Sequence, residues 1–275
     1  MSPSFFFALL IAMVSVGSLL ILSLLASRKN NQVANYLLSG LVVLFCYYAL
    51  IKILSNTSEI LDYPDLIRTY RPLFILACSI IYLYCKALTT HNFKFVIKDT
   101  WHLVPFLVYA LVMIPFFVSD EATKIASLSQ QPFTFVWFIE RGFWLVIFVF
   151  YSAVSFRVLK NHKQKIKDIF STIEHVKLNW LRNLLILFFT IWMLALVRFL
   201  TAYGKVGYEN KLAVPILMCL IIFLIAIYAL RQPEIFDNRW DNYFNDEDFA
   251  KNNNISGQQQ KYKADPHHKC NTPIG

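Results

Sequence analysis

Four ionisable side chains lie inside apolar stretches of this sequence, where water cannot surround them. Glu140 and Arg141 are neighbours in F-I-E-R-G-F-W (138–144), Arg198 lies in L-A-L-V-R-F-L, and Lys52 lies near the end of a third apolar stretch. A charge that leaves water needs a partner of opposite charge, and removing that partner is costly. These residue types therefore predict charge recognition, either as an ion pair between helices or as a polar pocket for a ligand or an ion.

The composition indicates which elements must position these side chains. The chain has 275 residues, of which 57% are hydrophobic and only 16% are charged, and its mean hydropathy is +0.50. Soluble domains usually carry about a quarter charged residues, and an apolar run of about 18 residues or more is typical of a membrane span. The sequence therefore predicts an all-α, polytopic membrane helix bundle, whose seven spans lie at about 5–26, 34–54, 72–89, 101–118, 134–156, 183–203 and 212–230.

Basic residues in the short loops predict how the chain is oriented, because Lys and Arg are enriched on the cytoplasmic side. Nothing basic precedes the first span, whereas Arg28 and Lys29 follow it, so we predict a retained helix with its N-terminus outside and a cytoplasmic C-terminus. The outer loops then hold few basic residues, namely Arg68, Arg71, Lys124, Lys205 and Lys211. The net charge of +9 accordingly reflects topology and contact with anionic lipid.

In this orientation the buried charges share one layer of the outer leaflet. Glu140 lies about 9 Å and Arg198 about 8 Å below the outer boundary, and Lys52 is close to the same level. Adjacent helical residues point about 100° apart, so we predict that Glu140 faces Arg198 while Arg141 extends towards the headgroups. Two interpretations stay open: a pocket open to the outside in which a ligand or ion alters this pairing, or a structural ion pair between the fifth and sixth helices.

The longest cytoplasmic loop, 157–182, ends in a segment that is typical of a helix start. Ser171 and Glu174 have capping-box spacing, and the predicted helix continues without a break into the sixth span, with Trp180 at the inner interface and Arg182 at the headgroups. Such an extension could carry motion from the bundle into the cytoplasm. The alternative is a well-anchored helix end without a signalling role.

Three stretches of the chain resemble one family. They are W-H-L-V-P-F-L-V-Y-A-L (101–111), F-S-T-I-E-H-V-K-L-N-W-L-R-N-L-L (170–185) and Y-A-L-R-Q-P-E-I-F (228–236). They are similar to the membrane sensor region of bacterial regulators in which seven or eight helices precede a linker and an AraC-type helix-turn-helix domain. The resemblance covers about residues 5–236 and implies a signal-sensing, signal-transducing domain in the bacterial inner (cytoplasmic) membrane.

The C-terminal part departs from that family. Residues 1–236 form the predicted sensor domain, and 237–275 form a polar tail whose low hydrophobicity predicts disorder. The piece Q-Q-Q-K-Y-K-A-D (258–265) resembles the linker of such regulators, but the DNA-binding domain is absent from the chain as given. A truncated or frameshifted regulator, a free-standing sensor and a fragment all remain open.

Other chemistry finds little support in the sequence. The five cysteines have no zinc-ligand spacing, and no phosphate-binding loop, nucleophile motif or metalloprotease motif occurs, so we expect no enzyme, no metal and no cofactor. A small-solute transporter, or another kind of multi-pass membrane protein, is the alternative to a sensor. The expected partners are the lipid bilayer, a small ligand from the extracellular or periplasmic side, and a second copy of the chain; direct binding of nucleic acid is not expected.

Overall fold

The computed structural model of the protein describes residues 3–26, 32–57, 59–90, 93–129, 135–169, 181–190, 193–194 and 213–231. Every regular element in these ranges is a helix, which confirms the all-α class for them. The α-helices are α1 (Pro3–Ala26), α2 (Gln32–Thr57), α3 (Tyr70–Thr89), α4 (Val104–Phe117), α5 (Glu121–Ser129), α6 (Phe135–Ile169), α7 (Leu181–Thr190 as far as it is described) and α8 (Ala213–Arg231).

Five of the described helical segments are long and apolar enough to cross a membrane, which indicates a membrane protein. They are Phe5–Ala26, Gln32–Thr57, Pro64–Thr89, Ile97–Phe117 and Gly142–Gln164. α7 and α8 contribute shorter apolar stretches, Leu181–Thr190 and Ile216–Tyr228. The count of seven spans and the orientation stay predictions, because much of 183–203 lies outside the described ranges.

α6 continues beyond the predicted fifth span, 134–156, as far as Ile169. The physical reason is local, since 157–169 contains neither glycine nor proline and is rich in lysine, which favours helix. The added turns carry Arg157, Lys160 and Lys163. The predicted cytoplasmic loop, 157–182, therefore begins as a basic helical extension of α6.

The bundle is built from neighbouring helices that bury apolar side chains against each other. α1 packs on α2 and α8, α2 packs on α3, and α3 packs on α6. Leu10, Met13, Leu41, Phe45 and Ile222 are completely or almost completely buried in the shared core. On the outward faces, large apolar side chains are exposed, as expected for helices that contact lipid.

α1 and α2 approach each other closely at a glycine. A Cβ atom placed on Gly17 would collide with the Sγ atom of Cys46 on α2 and would touch Val42. Small residues at a helix contact allow the backbones to approach, which is the usual way in which membrane helices gain packing energy. The contact therefore depends on the missing side chain of Gly17.

A polar cap covers the end of the bundle at which α2 ends and α3 begins, here called the α2–α3 end. Two short 3-10 helices, Glu59–Leu61 and Pro64–Leu66, connect these helices, and α5 lies beside them. The buried Lys124 Nζ on α5 pairs with Asp65 Oδ1 at 2.6 Å. Arg68 donates to the Ser127 carbonyl at 3.0 Å and holds a left-handed backbone with φ 64°. These contacts fix a conformation that is uncommon for a residue other than glycine.

Candidate functional site

An ion pair lies buried among α3, α4 and α6 near the α2–α3 end. Arg71 Nη1 is 2.7 Å from Glu140 Oε1, and the Tyr109 hydroxyl donates to the same Oε1 at 2.6 Å. The side chains of Arg71 and Glu140 are only 7% and 12% exposed. We call these three residues the polar junction. Its carboxylate receives one charged and one neutral donor, each from a different helix.

Local sequence explains how each member reaches the junction. Pro72 follows Arg71, and a proline within the first turn suits a helix start, so α3 begins at Tyr70 and includes Arg71. Glu140 lies near the start of α6, and Tyr109 is one of the two buried side chains of α4. α3 and α6 both start at the α2–α3 end, which brings Arg71 and Glu140 to one level.

Aromatic rings surround the junction and keep water away from it. The Tyr109 ring stacks on Phe143 with centroids 6.2 Å apart and lies 6.1 Å from the ring of Trp144. Trp144 in turn meets Phe74 edge-on at 5.8 Å. An apolar environment strengthens the attraction between the two charges and raises the cost of leaving either one alone. The junction is therefore sensitive to anything that changes its charge balance.

Lys52 lies at the same end of the bundle, on α2. Its Nζ atom is 4.9 Å from the centroid of the Tyr70 ring and 5.5 Å from that of Tyr48, and these two rings meet edge-on at 5.4 Å. Tyr70 directly precedes Arg71 at the start of α3. Lys52 is thus connected to the polar junction through a single tyrosine.

The structure accordingly gives Glu140 a partner other than the predicted one. The sequence predicts Arg71 in an outer loop and Glu140 opposite Arg198, whereas in the structure Arg71 Nη1 contacts Glu140 Oε1. Arg198 lies outside the described residues, and so does the side chain of Arg141, so the predicted roles of these two arginines stay predictions. Glu140 and Lys52 lie at one end of the bundle, and their predicted place in the outer leaflet stays a prediction.

The predicted transmission helix is largely beyond the part of the chain that the structure describes. Ser171, Glu174 and Trp180 lie outside the described residues, and the tail 237–275 does too. Arg182 is placed at the start of α7, where it is exposed. The capping box and the continuous helix from 172 onward therefore stay predictions.

A second polar cluster lies at the opposite end, where α3 leads into α4, here called the α3–α4 end. Lys86 Nζ pairs with Asp99 Oδ1 at 2.6 Å, and Asp99 Oδ2 accepts the Val96 backbone N–H at 3.1 Å. His102 Nδ1 lies 3.2 Å from the hydroxyl of Tyr151 on α6. Lys86, Asp99, His102 and Tyr151 are called the Asp99 cluster. It joins α3 and α6 to the 3-10 helix Ile97–Leu103, which directly precedes α4.

A small cavity lies between α3, α6 and α7. It measures about 10 Å³ and is lined by Cys78, Tyr151, Ser155, Leu185 and Phe188, among others. This space holds at most one water molecule and is far too small for an organic ligand. Within the described ranges, no group of three His, Cys, Asp or Glu side chains is arranged to hold a metal ion.

Sequence reasoning missed Arg71, Tyr109, Lys86 and Asp99 as partners. The signal for Arg71 was the proline after it. Proline is favoured in the first turn of a helix, so Pro72 indicates that the helix starts close to Arg71. Asp99 stands three residues after Val96 at the start of a 3-10 helix, which is the spacing of a capping acid. Tyr109 had no signal of its own, because a tyrosine in an apolar helix is ordinary.

Comparisons of the chain with models of protein families, with curated proteins and with solved structures gave no match.

Proposed function

We propose that this chain is a multi-pass membrane sensor whose response element is the polar junction. The observation that supports this proposal is an ion pair, almost fully buried, that a third helix joins through Tyr109. Ionisable residues within membrane helices are rare and are functional candidates by default. A ligand or ion that competes for either charge changes how α3, α4 and α6 are held together.

The position of the junction suits a sensor. In the orientation that the loop charges predict, the α2–α3 end faces the outside and the α3–α4 end faces the cytoplasm of the inner membrane. α6 begins beside the junction and continues as a basic helix to Ile169 on the other side. One rigid helix would thus carry a displacement of Glu140 to the cytoplasmic face.

The resemblance to the membrane part of AraC-type regulators supports the same proposal. In that family the bundle delivers its signal to a DNA-binding domain, so the cytoplasmic end of α6 and the segment 170–185 are the proposed route. The genomic DNA that follows the coding region tests this link directly. A helix-turn-helix sequence there, in frame or frameshifted, would support a regulator, whereas its absence would favour a free-standing sensor.

Spin labels can test whether the junction controls the opposite end of the bundle. Ile97 and Asn161 are exposed positions near that end, and Cys270→Ser removes the tail thiol before cysteines are introduced at both positions for labelling. Glu140→Gln leaves Arg71 unpaired, so we expect a shift in the measured distance distribution in lipid bilayers. Glu121→Gln, an exposed acid on α5, is the matched control and should cause no shift.

The outcome separates the two interpretations of the junction. A sensor requires that Glu140→Gln changes the Ile97–Asn161 distance. A loss of stability with an unchanged distance would show a structural clamp and would contradict the proposed function.

A further inference from the structure

We infer that Lys52 forms a binding site for one anionic group, a phosphate or a carboxylate, that is brought by the signal or by a lipid. The inference rests on the proposed function, because it names the chemistry that the α2–α3 end would recognise. It follows from the surroundings of Lys52, from the pairing of the neighbouring cations, and from the position of Tyr70 next to Arg71 in α3.

Lys52 is a half-buried cation whose described contacts are aromatic. Its ammonium group lies over the faces of Tyr70 and Tyr48, at 4.9 Å and 5.5 Å from the ring centroids. Contacts of this kind orient an ammonium group and leave its charge uncompensated. An ammonium group has three N–H donors, and a ring face is a weak acceptor for them. The two tyrosines therefore present the cation without neutralising it.

The neighbouring cations show a different arrangement. Arg71 is paired with Glu140 and Lys124 with Asp65, whereas none of the ion pairs among the described residues includes Lys52. The carboxylates closest in sequence, Glu59 and Asp62, lie exposed on the cap. The α2–α3 end thus holds a cation, Lys52, that no described carboxylate balances within salt-bridge distance. An anion from outside the chain would supply the balance.

An anion at Lys52 would also act on the polar junction. The Tyr70 ring lies under the Lys52 ammonium, and Tyr70 directly precedes Arg71 at the start of α3. An anion that pulls the Lys52 ammonium away from the ring would let Tyr70 move. Because Tyr70 and Arg71 are adjacent in α3, this movement would be passed on to the Arg71–Glu140 pair. The site therefore has a direct physical connection to the proposed response element.

Two sources can supply such an anion, and a binding experiment distinguishes them. The full chain is purified in an uncharged detergent, and its melting temperature is measured with phosphatidylglycerol or with phosphatidylcholine. A parallel series uses inorganic phosphate and acetate, with chloride at the same ionic strength as the reference. Stabilisation by phosphatidylglycerol alone identifies a lipid headgroup site, and stabilisation by phosphate or acetate identifies a site for a free anion.

The variants assign the effect to one residue. Lys52→Gln should weaken the anion's apparent affinity about tenfold or more, since it removes a hydrogen bond between charged groups. Lys52→Arg keeps the charge and should retain binding, and Lys163→Gln, an exposed lysine on α6, should behave like the wild type. Unchanged anion binding in Lys52→Gln overturns the inference, and so does the absence of stabilisation by every anion tested.

A measurement on the wild type covers the case in which Lys52→Gln does not fold. Acylation of lysine amines, followed by peptide mass spectrometry, should be slowed at Lys52 by the bound anion and unchanged at Lys163. Equal acylation of Lys52 with and without the anion counts against the site.

The spin-label distance between Ile97 and Asn161 separates the two proposals. An anion that binds at Lys52 without changing this distance supports the site and contradicts its role in sensing. A response to Glu140→Gln without anion binding supports the sensor and overturns the inference.

Discussion

At the scale of single residues, the buried Glu140 carboxylate depends on Arg71 as its charged partner. Two charges that leave water together gain little over a well-packed apolar pair, but a charge left alone in the same place is strongly destabilising. The Tyr109 hydroxyl adds a second donor to the carboxylate. The junction is thus a place where a small change in charge has a large effect.

A double-mutant cycle measures this pairing. Glu140→Gln and Arg71→Gln should each lower the free energy of unfolding by about 3–5 kcal/mol, because each leaves the other charge buried and unpaired. The double variant should lose clearly less than the sum of the two. Chemical unfolding of the protein in micelles gives the values, and additive single effects would show that the two charges do not interact.

At the scale of elements, the cap depends on the start of α5. Asp120 precedes this helix, and its carboxylate accepts the Thr123 backbone N–H at 3.2 Å and the Thr123 hydroxyl at 2.6 Å. These hydrogen bonds from Thr123 hold the pKa of Asp120 below its usual value. The helix start is therefore tied to the charge of one exposed carboxyl group.

The pH dependence of α5 follows from the direction of this pKa. A lowered pKa in the folded state means that the stabilisation is present above the pKa of an unfolded aspartate, about 3.9, and is lost as the pH falls through the folded value. The Thr123 amide resonance should therefore titrate below pH 4 in the wild type. In Asp120→Asn, which keeps a capping oxygen, it should not follow this titration. An identical titration in both proteins would rule out Asp120 as the cause.

The α1–α2 contact makes a second prediction at this scale, since the same substitution should have opposite effects at two glycines. Gly17→Ala places a methyl group against Cys46 and should destabilise the protein by about 1–3 kcal/mol. Gly40→Ala, on α2, meets no atom within 4 Å and should stabilise by up to about 1 kcal/mol through helix propensity. Melting curves of both variants test this, and equal shifts would contradict the close approach.

At the scale of the whole molecule, orientation is the property to test first. A reporter that is active only in the cytoplasm should give a signal when it is fused after Phe236 and no signal when it is fused near Glu121. The reason is the excess of basic residues in the loops that the sequence assigns to the cytoplasm. The reverse pattern would invert the assignment of the α2–α3 end to the outside.

Some parts of this structure could be predicted from the sequence and others could not, because each sequence pattern reports a different physical property. Hydropathy measures transfer into lipid, so it located α1 to α4 to within a few residues. Depth along a helix placed Glu140 and Lys52 in one layer, but depth contains no information on which helices are neighbours. Arg71 also lay just outside the predicted span, because helix ends are the least certain part of such predictions. The partner of Glu140 therefore needed the three-dimensional packing.

The two polar clusters have a mechanical consequence for α3, α4 and α6. Glu140 and Tyr151 lie about 17 Å apart along α6. α3 contacts α6 at both levels, through the Arg71–Glu140 ion pair and through the ring of Tyr82 on α3, whose centroid is 6.0 Å from that of Tyr151. Two helices that are held together at two levels resist twisting about one another. α2 is also held to α3, through the contacts of Lys52 and Tyr48 with Tyr70. A rotation imposed at one end of α3 and α6 would therefore be passed on to the other end.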